Sequence, residues 1–336
     1  MKVLVTGGGG YIGSHTVLTL LNNNIEVVVL DDFSNSNITA LKRVEYLTNK
    51  KIHIIRGDVR DKKILDSLFN TYHFETVIHF AGLKSVSDSV KKPLEYYDVN
   101  FNGTLVLLDR MTAHNVNHLV FSSSATVYGT PAKLPLDEEC STGGTTNPYG
   151  TSKFFVEELL KSHATASKNF RATILRYFNP IGAHPSGLIG EAPNGTPNNL
   201  LPYITNVAIG KLDCLNVFGN DYSTHDGSGV RDYIHVMDLA EGHLSAIKAD
   251  FHPGVFVFNL GTGKGVSVFE IIKEFEKVTG ISIAYKISSR RDGDIGEVWS
   301  NPFKANKELN WVATRNLKDM ITDAWNWQKS NPLGYK

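Results

Sequence analysis

Apolar residues in the first half of the chain fall in short unbroken runs: VLV at 3–5, VVVL at 27–30 and VIHF at 77–80. A strand that is apolar on both faces must be covered on both faces, as in a parallel sheet packed between helices. The runs predict strands over 2–6, 25–30, 52–56, 76–80, 118–122 and 172–176. Between them the apolar spacing becomes helical. Ile12, Val17, Leu18, Leu20 and Leu21 form one such stretch, ended by Asn22, Asn23 and Asn24. Strands alternating with helices imply right-handed crossovers and an α/β fold with a doubly wound parallel sheet. Several strands end in chemically notable residues: Gly57-Asp58, Ala81-Gly82 and Ser122-Ser123-Ser124. Ligands bind at the carboxyl ends of strands in such sheets, so these residues are expected along one edge.

After about residue 178 the texture changes. Residues 179–199 are rich in Gly, Pro and Asn and too long for an ordinary connection, which suggests a substrate-side loop region. A strand over 255–260 comes next. Ser267-Val-Phe-Glu270 then reads as a capping box opening a helix to about Val278. The stretch 317–328 is an amphipathic helix whose Trp325 and Trp327 read as packing residues. The expected organisation is a Rossmann-type dinucleotide-binding domain over 1–178 and a smaller mixed α/β substrate-binding lobe over 179–336, with some segments crossing between them.

The first strand runs directly into a glycine-rich turn. Gly7, Gly10 and Gly13 space as G-x-x-G-x-x-G, and Gly8, Gly10 and Gly13 also satisfy G-x-G-x-x-G. Glycine there allows a tight strand-to-helix turn and close approach of a pyrophosphate to the backbone. Asp31 and Asp32 end the second strand, roughly 20 residues on, where a carboxylate accepts hydrogen bonds from ribose hydroxyls and repels a 2′-phosphate. The cofactor expected is NAD rather than NADP.

Bulk composition narrows the partners. Lys+Arg and Asp+Glu number 34 each, and no basic stripe favours nucleic acid. Cys140 and Cys214 give neither a disulfide framework nor a metal knuckle. No metal site is expected. There is no apolar run of membrane-spanning length and no leader ahead of the first strand, so the expectation is a soluble cytoplasmic protein.

Tyr149 and Lys153 stand four residues apart, behind Pro148, which fits a helix start and puts both side chains on one face. A free phenol, with a pKa of about 10, is a poor base. A unit positive charge at ~5 Å contributes ~3 kcal/mol at an effective dielectric of ~20. The lysine and a nicotinamide ring together are therefore expected to lower the phenol pKa and favour a phenolate that removes a hydroxyl proton as hydride leaves the same carbon.

With these motifs the chain resembles the extended short-chain dehydrogenase/reductase family, and more narrowly its UDP-glucose (UDP-galactose) 4-epimerases. The resemblance runs through VTGGGGYIGSHT, HFAGLKSV, KPLEYYDVN, FSSSATVYG, NPYGTSK, LRYFNPIGAHPSG, PNNLLPYI, GVRDYIHVMDLA and NLGTGKG. It implies that Tyr149 is the base, Lys153 its partner and a ribose ligand, and Ser124 the hydroxyl that holds the sugar 4-oxygen. It implies NAD contacts from Gly7, Gly10, Tyr11, Ile12, Gly13, Asp31, Asn35, Ser36, Asp58, Val59, Phe80, Ala81, Gly82, Lys84 and Phe178, besides the catalytic residues. Lys84, Asn179, Asn199, Leu200, Arg231, Tyr233, Arg291 and Asp294 would grip the UDP-hexose, with Asn216, Val217 and Phe218 flanking the uracil. Two arginines suit a diphosphate clamp through paired charge-assisted hydrogen bonds.

Departures from the family pattern carry information. Asp32 and Val99 stand where relatives have asparagine. Val298 lies four residues past Asp294, where strict relatives carry tyrosine and relatives accepting N-acetylated sugars carry a small residue. The resemblance therefore implies inversion at carbon 4 through a 4-keto intermediate, on UDP-glucose and UDP-galactose and also on UDP-N-acetylglucosamine and its galactosamine epimer. A dehydratase would need an Asp-Glu pair where this chain has Ala125-Thr126. A net nucleotide-sugar reductase or dehydrogenase, and a non-catalytic NAD-sensing protein, are the other readings. Phe154, Phe155, Val156, Leu159 and Leu160 give the helix after Tyr149 more apolar surface than one buried face requires, so a homodimer is expected.

Overall fold

The apolar runs become strands because β-branched residues fit a pleated surface covered on both faces. The computed structural model describes residues 1–192, 197, 199–291 and 294–335. Its strands are β1 (Lys2–Thr6), β2 (Glu26–Asp31), β3 (His53–Arg56), β4 (Thr76–His79), β5 (His118–Ser124), β6 (Arg171–Tyr177), β7 (Asn179–Ile181), β8 (Leu215–Phe218), β9 (Val230–His235), β10 (Gly254–Leu260), β11 (Gly265–Ser267), β12 (Tyr285–Ser288) and β13 (Glu297–Val298). The main sheet has seven parallel strands in the order β10-β6-β5-β4-β1-β2-β3. Chain direction along the sheet reverses between β1 and β4, the topological switch point where a dinucleotide crosses a doubly wound sheet.

Two apolar cores cover the two faces. Val3, Val5, Val17, Val27 and Val29 belong to one, and Leu4, Val28, Leu30, Val77 and Leu119 to the other, so successive residues of one strand bury on opposite sides. β10 extends the main sheet beside β6, and the Val236–Lys248 helix packs against the Tyr11–Asn22 helix. Leu239, Phe258 and Leu260 are buried in the first of those cores.

The remaining strands of the second half lie in two smaller sheets. β9 is the centre of one, paired with β7 and β13 in parallel and with β11 antiparallel; β8 and β12 make the other, a parallel pair. Ser267 and Glu270 complete the expected capping box at the Val268–Thr279 helix. That helix and the Leu317–Ser330 helix enclose a third core of Ile271, Phe275, Met320 and Ile321. Trp325 packs edge-on against Phe275, and Trp327 is buried with its indole N–H donating to the Glu191 carbonyl, so both tryptophans serve packing.

Candidate functional site

The glycine turn fits a phosphate cradle because side chains have no room in it. Gly7 adopts a φ of +70°, and a Cβ there would come within 2.6 Å of the Ala81 backbone nitrogen at the end of β4. A Cβ on Gly13 would lie 2.3 Å from the Gly7 carbonyl oxygen. Gly10 is less constrained, its closest contact being 3.3 Å. Asp31 closes the far end of the turn. Its carboxylate accepts from the Gly9 amide at 2.8 Å, the Phe33 amide at 2.9 Å and the Ser36 hydroxyl at 2.7 Å. Asp31 and Ser36 thus form one unit joining the ends of β1 and β2, while Asn35 beside them is exposed. These features fit the pyrophosphate and ribose of NAD.

Other residues foreseen for the cofactor line the same edge. Tyr11 begins the first helix and donates from its hydroxyl to the Gly182 carbonyl at 2.7 Å. Ile12 packs against the first core and Val59 lies within the second, leaving mainly backbone for a ligand at Val59. Asp58 is held by the Arg60 amide and guanidinium, and Arg60 reaches on to Asp98. Phe80 lies against His243 with ring centroids 4.8 Å apart. Ala81 and Gly82 come directly after β4. Asn100, in a π-helical turn over Tyr97–Asn102, fixes that loop: its amide oxygen accepts from Leu83 N at 2.7 Å, and its amide nitrogen donates to the Leu83 carbonyl and Ser152 hydroxyl, each at 3.0 Å. The sequence reading did not single out Asn100, which closes the KPLEYYDVN motif.

The Pro148–Ala166 helix starts where expected, with Pro148 in its first turn and the Asn147 side chain accepting from Gly150 N at 2.9 Å. Tyr149 and Lys153 share the face toward β5. The Lys153 ammonium donates to the Ser122 carbonyl at 2.7 Å, and Ser124 lies close enough to Tyr149 to pull its phenol pKa down. Ser124 in turn accepts from the Thr126 hydroxyl at 3.0 Å.

The expected depression of the Tyr149 pKa does not hold for the chain alone. Burial raises the Tyr149 phenol, and Ser124 offsets only part of that rise. Burial also lowers Lys153 to about 8. The expectation counted the Coulomb attraction of the lysine and of a nicotinamide ring and neglected desolvation of both side chains, which opposes their charged forms.

Residues foreseen for the substrate gather from distant segments. Arg231 on β9 and Arg291 beyond β12 converge on Asp294: Arg291 Nε donates to its carboxylate at 2.8 Å, and Arg231 Nη2 lies at 3.8 Å. The Arg291 guanidinium also stacks 4.9 Å from the Phe218 ring centroid. Tyr233 lies two residues past Arg231, buried, its phenol pushed up to about 12 by burial against the pull of both arginines. Asn216 accepts from the Ser288 hydroxyl, whereas Val217 points into the third core, so its backbone is what it offers a ligand. Asn179 is exposed at the start of β7, in register with Tyr233.

Lys84 and Asn199 meet at Glu191, a residue that the sequence pattern did not single out. Both donate to Glu191 Oε1, at 2.9 Å and 2.7 Å. Leu200 opens the next helix and packs against the third core. Val298 pairs with Arg231 across β13 and β9 and packs into a small cluster with Val127, Tyr128 and Phe178. It therefore lies between the arginine rim and the turn after Ser124.

Known proteins share this fold. Residues 3–261 match the model of the NAD dependent epimerase/dehydratase family. The chain is 58% identical over 337 residues to the UDP-glucose 4-epimerase of Haemophilus influenzae, covering all of both chains. It is likewise 58% identical over 335 residues to that of Yersinia enterocolitica, covering 100% of this chain and 99% of the relative. The crystal structure of UDP-glucose 4-epimerase from Bifidobacterium longum in complex with NAD+ and UDP superposes with a TM-score of 0.97 at 52% identity, covering 99% of this chain and 100% of that one. A glycine cradle shaped for a dinucleotide, a Tyr-Lys helix beside a serine-ended strand and similarity along the whole length agree: the chain belongs to the NAD dependent epimerase/dehydratase family, in its UDP-glucose 4-epimerase branch.

Proposed function

We propose that this chain inverts the configuration at carbon 4 of a UDP-hexose, interconverting UDP-glucose and UDP-galactose through a 4-keto sugar. The observation that carries the reading is the helix face that turns Tyr149 and Lys153 toward Ser124 and Ser122 at the end of β5, combined with Arg231 and Arg291 converging on Asp294. NAD would be held by the Gly7–Gly13 turn, Asp31 and Lys153, and when bound would supply reversible hydride chemistry and a positive ring charge beside the phenol. Tyr149 removes the 4-hydroxyl proton and later returns it, while Ser124 holds the 4-oxygen. Arg231 and Arg291 anchor the diphosphate, so binding energy remote from the hexose retains the keto sugar without fixing which face it presents. No carboxylate comes after Ser124 to eliminate water, since the turn reads Ala125-Thr126-Val127-Tyr128. Incubation with UDP-galactose tests the proposal. UDP-glucose should form without net consumption of NAD; stoichiometric accumulation of reduced cofactor would instead indicate a dehydrogenase.

Val298 supports acceptance of the N-acetylated pair. A short side chain between Arg231 and the Phe178 cluster leaves room beside the sugar's 2-position. Val298→Tyr should abolish turnover of UDP-N-acetylgalactosamine and spare UDP-galactose. A homodimer is supported by an exposed apolar face. Val156 and Leu160 are buried within the subunit, but Phe155 is 43% exposed and stacks on Tyr97, and Leu94, on a neighbouring short helix, is 83% exposed. A second copy covering this face makes Phe155→Glu monomeric in sedimentation. Both cysteines are free, which suits a reducing cytoplasmic compartment.

A further inference from the structure

Three residues of the Pro148–Ala166 helix, spaced i, i+4 and i+8, meet three consecutive residues of β5. Tyr149 lies near Ser124, the Lys153 ammonium donates to the Ser122 carbonyl at 2.7 Å, and Glu157 accepts from the Ser123 hydroxyl at 2.6 Å. Only the third pair lies outside the chemistry proposed above. Glu157 is fully buried and its partner Arg176, on β6, is 3% exposed. Arg176 grips it at both oxygens, Nε to Oε1 at 3.0 Å and Nη2 to Oε2 at 2.6 Å. The other guanidinium nitrogen donates to the Tyr128 hydroxyl at 2.9 Å, and that hydroxyl donates to Asn259 on β10 at 2.7 Å. One network therefore ties the helix carrying the base, the strand carrying Ser124, the turn after Ser124 and the strand leading to Phe178.

A buried ion pair is a poor source of stability, because desolvation offsets most of its attraction and apolar replacements of similar volume are often neutral. Its geometry is another matter. A bidentate fork defines the register of a helix on a sheet more narrowly than apolar packing does. The base lies two helical turns along the same face, with Lys153 one turn away between them, and misplacement by about 1 Å can cost about a hundredfold in rate.

We infer that Glu157 and Arg176 are positioning residues for the epimerisation: they set the Pro148–Ala166 helix on β5 so that the Tyr149 phenol meets the oxygen held by Ser124. The inference rests on the function proposed above, and the parent enzyme separates the two. If the parent does not epimerise UDP-galactose, the functional reading fails; if it does, the variants decide this one. The double variant Glu157→Leu/Arg176→Met removes the pair without leaving a lone buried charge. Its thermal midpoint and its KM for UDP-galactose should stay near the parent's, while kcat falls between about tenfold and about a hundredfold. A double variant that folds and keeps kcat within about twofold overturns the inference, as does a KM that rises in step with a lowered kcat. Should it fail to fold, Ser123→Ala, which deletes one hydroxyl contact to Glu157, decides by the same readings. A lowered kcat at unchanged midpoint and KM supports the positioning role, and any other result overturns it.

Discussion

The floor around Lys153 and the rim around Arg291 are both cationic, yet water separates their behaviour. Lys153 is 5% exposed and its ammonium is disfavoured by burial; the Arg291 side chain is 55% exposed. In the floor a charge depends on the few groups that touch it, so a proton can be moved there. At the rim a charge is hydrated and screened, so it can hold a ligand but does little to alter chemistry. The division matches a reaction that needs firm grip at one end of the substrate and proton transfer at the other.

The strongest way to break this comparison is at the base. Tyr149→Phe is expected to lower kcat by about 10²–10⁴-fold while NAD and UDP still bind, as checked by steady-state kinetics and calorimetry. At the rim, Arg231→Ala or Arg291→Ala should raise KM by about ten- to a hundredfold and leave kcat within a few-fold, since a charge-assisted hydrogen bond contributes about 1.5–3 kcal/mol. The rise should shrink at high salt, where the parent's own KM has already increased. A loss in kcat instead of KM would place these arginines with the chemistry. Gly7→Ala combines a φ of +70° with a clash at the Ala81 backbone. It should destabilise the chain by about 1–3 kcal/mol in chemical denaturation and weaken NAD binding.

Two smaller effects concern pH. Lys153 titrates near 8 in the ligand-free fold against an ordinary value of 10.5. The unfolded chain binds more protons between these values, so stability rises with pH across that window, and Lys153→Met should flatten the rise. His79, buried between the Thr6 and Thr104 hydroxyls, is lowered to about 3. Its contribution is present above about 6.5 and is lost as pH falls toward 3, so the thermal midpoint should drop across that range and drop less in His79→Asn.

Much was legible locally. The cradle is specified within one short segment, since Gly7, Gly10, Gly13 and Asp31 are neighbours in a single β-α-β unit. Tyr149 and Lys153 are likewise related by helical spacing alone. Asn100, Glu191 and Glu157 were not legible as site-builders. An asparagine or glutamate reads as surface until its partners, Leu83, Lys84 and Arg176, are brought to it by other elements.

The sequence by itself determined the parallel sheet, the dinucleotide turn and the placing of Tyr149 and Lys153 on one helix face, because backbone propensity, glycine geometry and side-chain period act over a few residues. Only the tertiary structure decided that β10 completes the main sheet, that Arg231 and Arg291 share Asp294, and that Tyr149 lies in a site where burial raises its pKa. Desolvation and long-range pairing depend on which distant segments exclude water together, and no local pattern in a chain encodes that.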